Sequence, residues 1–299
     1  MSLCRVSTRR SLSSLVVLIL IFAVATGWSR RKKGAPKWQS IFKKGLPNDC
    51  EPSGLVWFDD RLYVVHDEGT LYAVDENGKY LDQYDLDGAD VESVTAVPSR
   101  KGYVYVGVES DASNSMRPVI LEINTKTKKK ERTFKIPKGF PASESTGMES
   151  LTFVPDAEAP NGVGYFLCGS QDEGAKVFVY DVNINSGKST TIRQLAEFKA
   201  PVGTYDLSDM NYCDGKLYFL FDSEQILASV DAKPFLDGVL AQEGSGSIQY
   251  AGLATYKTDG TDYEGFTLSD KYAFVGVDTG DLLRCDREVL EAKWVSCEP

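Results

Sequence analysis

The chain holds a single histidine, His66, among its 299 residues. That scarcity excludes a zinc site built from several histidines and leaves a Ser-His-Asp arrangement little to work with. Amphipathic segments of 12 or more residues are missing beyond the N-terminal leader, which excludes a helical bundle. No strand, glycine loop, lysine and helix occur in series. "GSGS" at 244–247 and "GSQDEG" at 169–174 therefore read as turns, not as phosphate cradles. No Asn-x-Ser/Thr sequon is present, so glycosylation gives no sign of export. Basic charge is also short. Residues 1–37 carry eight basic residues and no acid, and the remainder holds 25 basic against 43 acidic residues, a net charge of −18. Such a domain repels nucleic acid and anionic membrane. It suits cations, or anions that arrive with a cation.

What is present begins with a targeting pattern. "MSLCRVSTRRSLSS" is basic, "LVVLILIFAVATG" is apolar over 13 residues, and Ala23-Val24-Ala25 offers small residues to a signal peptidase. Residues 1–27 are expected to be a signal peptide, with an uncleaved signal anchor as the alternative. The run is short for a span of roughly 20 residues, and the "RRKK" block at 30–33 makes both flanks positive. Residues 28–36 read as a basic linker and 37–299 as one domain. This places the protein outside the cell or in the secretory lumen, with membrane contact only if the leader stays attached. After cleavage five cysteines remain, an odd count. Cys285 or Cys50 could pair with Cys297, or the thiols could be buried small hydrophobes, as Cys168 and Cys213 also could.

Internal repeats organise the domain. Five segments open alike: "EPSGLVW" at Glu51, "ESVTAVP" at Glu92, "ESLTFVP" at Glu149, "DLSDMNY" at Asp206 and "EGFTLSD" at Glu264, spaced 41, 57, 57 and 58 residues apart. "EPSGL" and "DLSDM" align without gaps, whereas the other three lack one residue or use Gly for Ser. An aromatic-rich strand follows each, then a third strand. A fourth closes the first four units: "YLDQYDL", "ERTFKIP", "RQLAEFKA" and "SIQYAGLA". Four short strands per unit with turns between them predict an all-β fold, a five-bladed β-propeller of four-stranded antiparallel blades. The last unit lacks its fourth strand. Residues 37–46 are expected to supply it and close the ring, with the C-terminal segment as rival. The run "KTKKKER" at 126–132 reads as a solvated hairpin.

In such a blade the first strand starts, and the second ends, at the same mouth of the channel. The motif acids Glu51, Glu92, Glu149, Asp206 and Glu264 are thus expected to ring that mouth. Asp67, Glu109, Asp172, Asp222 and Asp278 at the second-strand ends are expected beside them, with Asp49, Asp90, Asp262 and Asp209 close by. Like charges raise one another's pKa, and a hard cation relieves the crowding. Ca²⁺ takes six to eight oxygens with loose geometry. Asp and Glu at strand starts also set turns by accepting backbone N–H bonds, so a purely structural reading stands beside the metal one. His66 could act as a general base or simply hydrogen-bond at its strand end.

The stretches "EPSGLVWFDDRLYVVHDEGTLYAVD", "DVESVTAV", "GMESLTFVPD" and "DYEGF" resemble the SdiA-regulated and esterase-like-phytase propeller families over residues 47–280. "DLSDMNYCDGKLYFLFD" and "DYEGF" also look like inner-strand motifs of the calcium-activated nucleotidases (apyrases). That second resemblance implies five blades, Ca²⁺ in the channel and Ser208, Asp209 and Glu264 as metal ligands, with Glu51, Glu92 and Glu149 in equivalent places. The chain shows no evident Arg and Lys cluster for phosphates. Three functions stay open: a Ca²⁺-dependent phosphoester hydrolase with Glu149 or Glu92 as base, a propeller binding a small anion or a protein at its acidic mouth, and a structural ring.

Overall fold

The computed structural model describes residues 35–41, 50–141, 147–170, 172–185, 190–202, 206–241, 248, 250–258 and 260–297. The expected leader and Asp49 lie outside them. The strands form five antiparallel sheets arranged as the blades of a propeller. Blade 1 runs Pro52–Phe58, Arg61–His66, Thr70–Val74 and Tyr80–Asp85. Blade 2 runs Val91–Thr95, Tyr103–Asp111, Arg117–Asn124 and Lys129–Lys135, and Thr190–Thr191 adds in parallel to its rim. Blade 3 is Met148–Pro155, Gly164–Ser170, Lys176–Asp181 and Arg193–Lys199. Blade 4 is Leu207–Cys213, Lys216–Phe221, Ile226–Asp231 and Ala254–Lys257. Blade 5 is Tyr263–Leu268, Tyr272–Val277 and Asp281–Asp286.

Alternation explains why blades stack. Along a strand, successive side chains face opposite sides. Leu62 and Val64 pack toward blade 5, while Tyr63 and Val65 pack toward blade 2. Both faces are apolar, so each pair of adjacent blades encloses its own core layer. Five such layers close the circle.

Ring closure follows the expectation. Gln39–Ser40 pairs antiparallel with Arg284 and Leu283, supplying the fourth strand of blade 5. The rival segment goes elsewhere: Val295–Ser296 pairs with Ala254 and Thr255 as a fifth strand on blade 4. The fourth strand of blade 4 is Ala254–Lys257 and not the expected 247–254, because helix Ala232–Leu240 intervenes and buries Phe235, Leu236 and Val239 against blades 3 and 4. Two further expectations need correction. Cys50, Cys168, Cys213, Cys285 and Cys297 are all free thiols, so no proposed disulfide forms among them. Within "KTKKKER", Arg132 is buried. It donates to both Glu122 carboxylate oxygens, and the Tyr105 hydroxyl donates to the same carboxylate at 2.7 Å. The rest of the run, 126–131, is solvent-facing.

Candidate metal and active site

The mouth is built on a bulge that recurs in every blade. Pro52 pairs with His66 and Gly54 with Val65, leaving Ser53 unpaired between them. The same step leaves Glu92, Glu149, Ser208 and Glu264 unpaired in the other inner strands. A bulge re-aims a side chain without ending the strand, so these five residues form one ring. The residues before each strand form a second ring: Glu51, Asp90, Gly147, Asp206 and Asp262. The sequence expectation merged the two, placing Glu51 and Asp206 level with Glu92, Glu149 and Glu264. The one-residue mismatch among the motifs was the trace of the bulge, and Ser53 was missed with it. Gly147 stands in the acid's place, and a side chain there would collide with the Glu109 carbonyl oxygen and Cγ.

Asp67, Glu109, Asp222 and Asp278 each follow the last paired residue of a second strand, as expected. Asp172 falls one position later and begins the helical turn Asp172–Ala175. Its side chain lies outside the description.

On the wall made by blades 2 and 3, the carboxylates of Asp90, Glu92 and Glu109 have oxygens within 4.8 Å of one another. Burial, then Glu149, Asp90 and Glu109, push the Glu92 carboxyl up to about 9. Burial, Asp90 and Glu149 push Glu109 up to about 8. Across the mouth, burial and the charges of Asp222, Asp206, Asp278 and Glu149 raise Glu264 to about 8. Asp67, with burial and Asp278, raises Glu51. Acids from all five blades therefore feel one another through one opening.

The wall made by blades 4 and 5 spends its carboxylates differently. Asp209 is fully buried and accepts from the N–H of Met210 at 2.8 Å and of Phe266 at 2.7 Å, with the Leu55 N–H as a further donor. Burial pushes its carboxyl up, and those N–H groups oppose the shift. It ties blades 4, 5 and 1 together from below the mouth. Equivalent positions elsewhere are small: Gly54, Ser93, Ser150 and Gly265. Asp222 accepts from the Tyr263 N–H at 2.9 Å, and Asp206 accepts from the Ser223 N–H and hydroxyl. The Ser208 hydroxyl donates to the Asp206 carbonyl at 3.4 Å. His66 is buried, its Nδ1 lying 3.2 Å from the Glu51 N and 2.7 Å from Asp67 Oδ1. It braces the blade 1 corner.

The motif threonines, unnoticed in the sequence, make similar ties lower in the channel. Thr95 Oγ1 accepts from the Phe153 N–H of blade 3 at 3.0 Å, and Thr267 Oγ1 accepts from the Trp57 N–H of blade 1 at 3.1 Å.

Five blades closed by an N-terminal strand around a carboxylate-lined mouth define this protein as a five-bladed β-propeller, and comparison with known proteins narrows the class. The chain belongs to the phytase-like family, whose model, described as "esterase-like activity of phytase", matches residues 53–222. No curated protein matches it. Among solved structures it is similar to glutaminyl cyclase from Myxococcus xanthus at 11% identity and a TM-score of 0.53, covering 88% of this chain and 99% of that one. It is also similar to a virginiamycin B lyase from Staphylococcus aureus (12% identity, TM-score 0.41, 82% and 69% covered). The computationally designed protein Ika8 matches at 10% identity and a TM-score of 0.42, with 83% and 99% covered. These likenesses concern the fold alone.

Proposed function

We propose that the mouth binds Ca²⁺ on the blade 2–3 wall and that the protein hydrolyses a phosphoester there, of a nucleotide or phytate-like substrate. The observation that carries this reading is the approach of Asp90, Glu92 and Glu109 to within 4.8 Å. Among the described residues, no N–H group or cationic side chain donates to these three carboxylates, and their mutual repulsion favours either a proton or a cation. The donor set is oxygen only, which fits a hard ion. Ca²⁺ held there would neutralise phosphate charge and polarise a water.

Asp90, Glu92 and Glu109 would hold the ion. Glu149, coupled to Glu92 and Glu109, would take the proton of the attacking water. Glu92, first read as a second candidate base, sits among the ligands instead. Glu264 and Glu51 face the same opening and would repel an anion that came without its cation. Family membership supports the esterase side of the proposal. The leader-like N-terminus supports export to the secretory lumen or outside the cell, where Ca²⁺ is plentiful.

A second reading has its own support. After burial, the influences on Glu92 and Glu109 are all carboxylates, with no Arg or Lys among them. A mouth without fixed cations suits non-catalytic capture of a small anion through Ca²⁺, or of a protein.

Thermal melting with Ca²⁺ and with chelator tests the metal, and phosphate release from nucleotides and phytate tests the chemistry. Ca²⁺ should raise the Tm of the wild type and leave the Glu92→Gln, Glu109→Gln double variant unmoved. An unchanged wild-type Tm sinks the proposal. A Ca²⁺ shift without phosphate release selects the capture reading.

A further inference from the structure

A second polar site lies far from the mouth, at the rim where the ring closes. Strand alternation puts Lys37 and Gln39, Arg284 and Asp286, and Tyr272 on one face of blade 5, the face turned toward blade 1. Blades splay apart toward the rim. Here blade 1 offers only its Asp75–Lys79 turn, and a cavity of about 380 Å³ opens beside the closing segment, lined by Ala35, Lys37 and Gln39, by Tyr272 and residues 284–286 of blade 5, and by Val289.

Arg284 is held in place before any ligand arrives. Its guanidinium lies 4.2 Å from the centre of the Tyr272 ring, and Nη1 donates to the Glu76 carbonyl at 2.6 Å and to Asn77 Oδ1 at 2.9 Å. Its Nε and Nη2 keep their donors. Among the described residues, no hydrogen bond or ion pair engages the side chains of Lys37, Gln39 or Asp286, or the Tyr272 hydroxyl. Lys37, Gln39 and Asp286 are exposed and Tyr272 and Arg284 partly buried, and all five line the same cavity. Two of them are cations, in a domain whose charge is otherwise strongly negative.

We propose that this seam cavity binds a small organic oxyanion. Its phosphate or carboxylate sits on the free edge of Arg284 and on Lys37. The planar guanidinium suits a two-oxygen grip, and a pre-stacked side chain loses little freedom on binding. Asp286 takes a hydroxyl or amine of the same molecule, and the Gln39 amide and Tyr272 hydroxyl add donors. Because Gln39 belongs to the closing strand and Lys37 lies two residues before it, while Tyr272 and Arg284 belong to the blade it closes, the ligand also fastens the ring. The site needs no Ca²⁺ and does not depend on the function proposed for the mouth.

The test is thermal melting in chelator with inorganic phosphate, glycerol 3-phosphate and malate, each alone. A ligand that binds only the folded chain at a hundredfold excess over its Kd raises the Tm by about 5 °C or more. Glycerol 3-phosphate or malate should do so, and inorganic phosphate, which offers Asp286 nothing beyond its anion, should do less. A glycerol phosphate response without a malate response names phosphate as the anion, and the reverse names carboxylate. Lys37→Gln and Arg284→Gln should abolish the shift. Arg284→Gln loosens the seam by itself, so Lys37→Gln, at an exposed position, carries the decision. A shift that survives Lys37→Gln, a shift lost in Glu92→Gln instead, or no shift with any probe overturns the proposal.

Discussion

The two walls of the mouth carry the same residue types and use them in opposite ways. On blade 4, Asp206, Asp209 and Asp222 accept from backbone N–H groups and a serine hydroxyl, whereas Glu264 of blade 5 is crowded by carboxylates. On blades 2 and 3, Asp90, Glu92 and Glu109 meet chiefly other carboxylates. An acid at a strand start is thus a turn-setter or a ligand according to whether a donor reaches it, and the residue name does not decide. The proposed Ca²⁺ site uses the wall whose carboxylates remain unspent.

That contrast breaks most visibly at Asp209. Asp209→Ala leaves three backbone N–H groups of blades 4, 5 and 1 without an acceptor in a fully buried place. Each orphaned donor costs about 1–3 kcal/mol, so the loss should be at least about 3 kcal/mol by urea unfolding. The Ca²⁺-induced rise in Tm should persist in whatever folded protein remains. If Asp209→Ala removed the Ca²⁺ response while sparing stability, the division between the walls would be wrong.

A smaller effect reads the crowded glutamates by pH. Glu92, Glu109 and Glu264 hold protons up to about 9, 8 and 8, against an ordinary value of 4.5. Their folded pKa values are raised, so the folded chain binds more protons than the unfolded chain between those limits, and stability falls as pH rises. In chelator the Tm should drop steadily from pH 5 to pH 9. Glu92→Gln with Glu109→Gln should flatten the part of that slope that Glu264 does not carry, and Ca²⁺ should help more at pH 9 than at pH 5. A chelated protein equally stable across the range would mean that the blade 2–3 acids are solvated and carry no crowding to relieve.

The blade count, the closing strand and the convergence of the acids were legible in the sequence, because each rests on a repeating local pattern. The bulge was legible only as a misfit. Glu51 and Glu92 look equivalent as letters, yet one extra residue in the strand moves them to different heights, and pairing alone reveals it. Arg132 could not be separated from its lysine neighbours, since its burial depends on Glu122 from the adjacent strand and on the Ile184 carbonyl from blade 3. The cysteines had no local signal for pairing, and the cores of separate blade interfaces hold Cys50, Cys168 and Cys285 apart. Lys37 and Arg284 stand far apart in the chain and meet only because the ring closes.

The smallest expected effect concerns the threonines, which place the tying role of blades 4 and 5 deeper in the channel and on other blades. Blade 1 has Val56 where Thr95 and Thr267 stand, three residues past the bulge in each case. An apolar side chain of the same shape therefore fits this position, and Thr→Val removes the acceptor without leaving a cavity. The Phe153 N–H that Thr95 serves is buried, and the Trp57 N–H that Thr267 serves is only partly so. Thr95→Val should cost about 1–2 kcal/mol and Thr267→Val about 1 kcal/mol or less, since water can replace the lost acceptor at the second site. Neither should alter the Ca²⁺ response. Equal losses would mean that burial of the N–H does not set the cost, and a lost Ca²⁺ response would mean that inter-blade ties and ligand geometry cannot be separated in this ring.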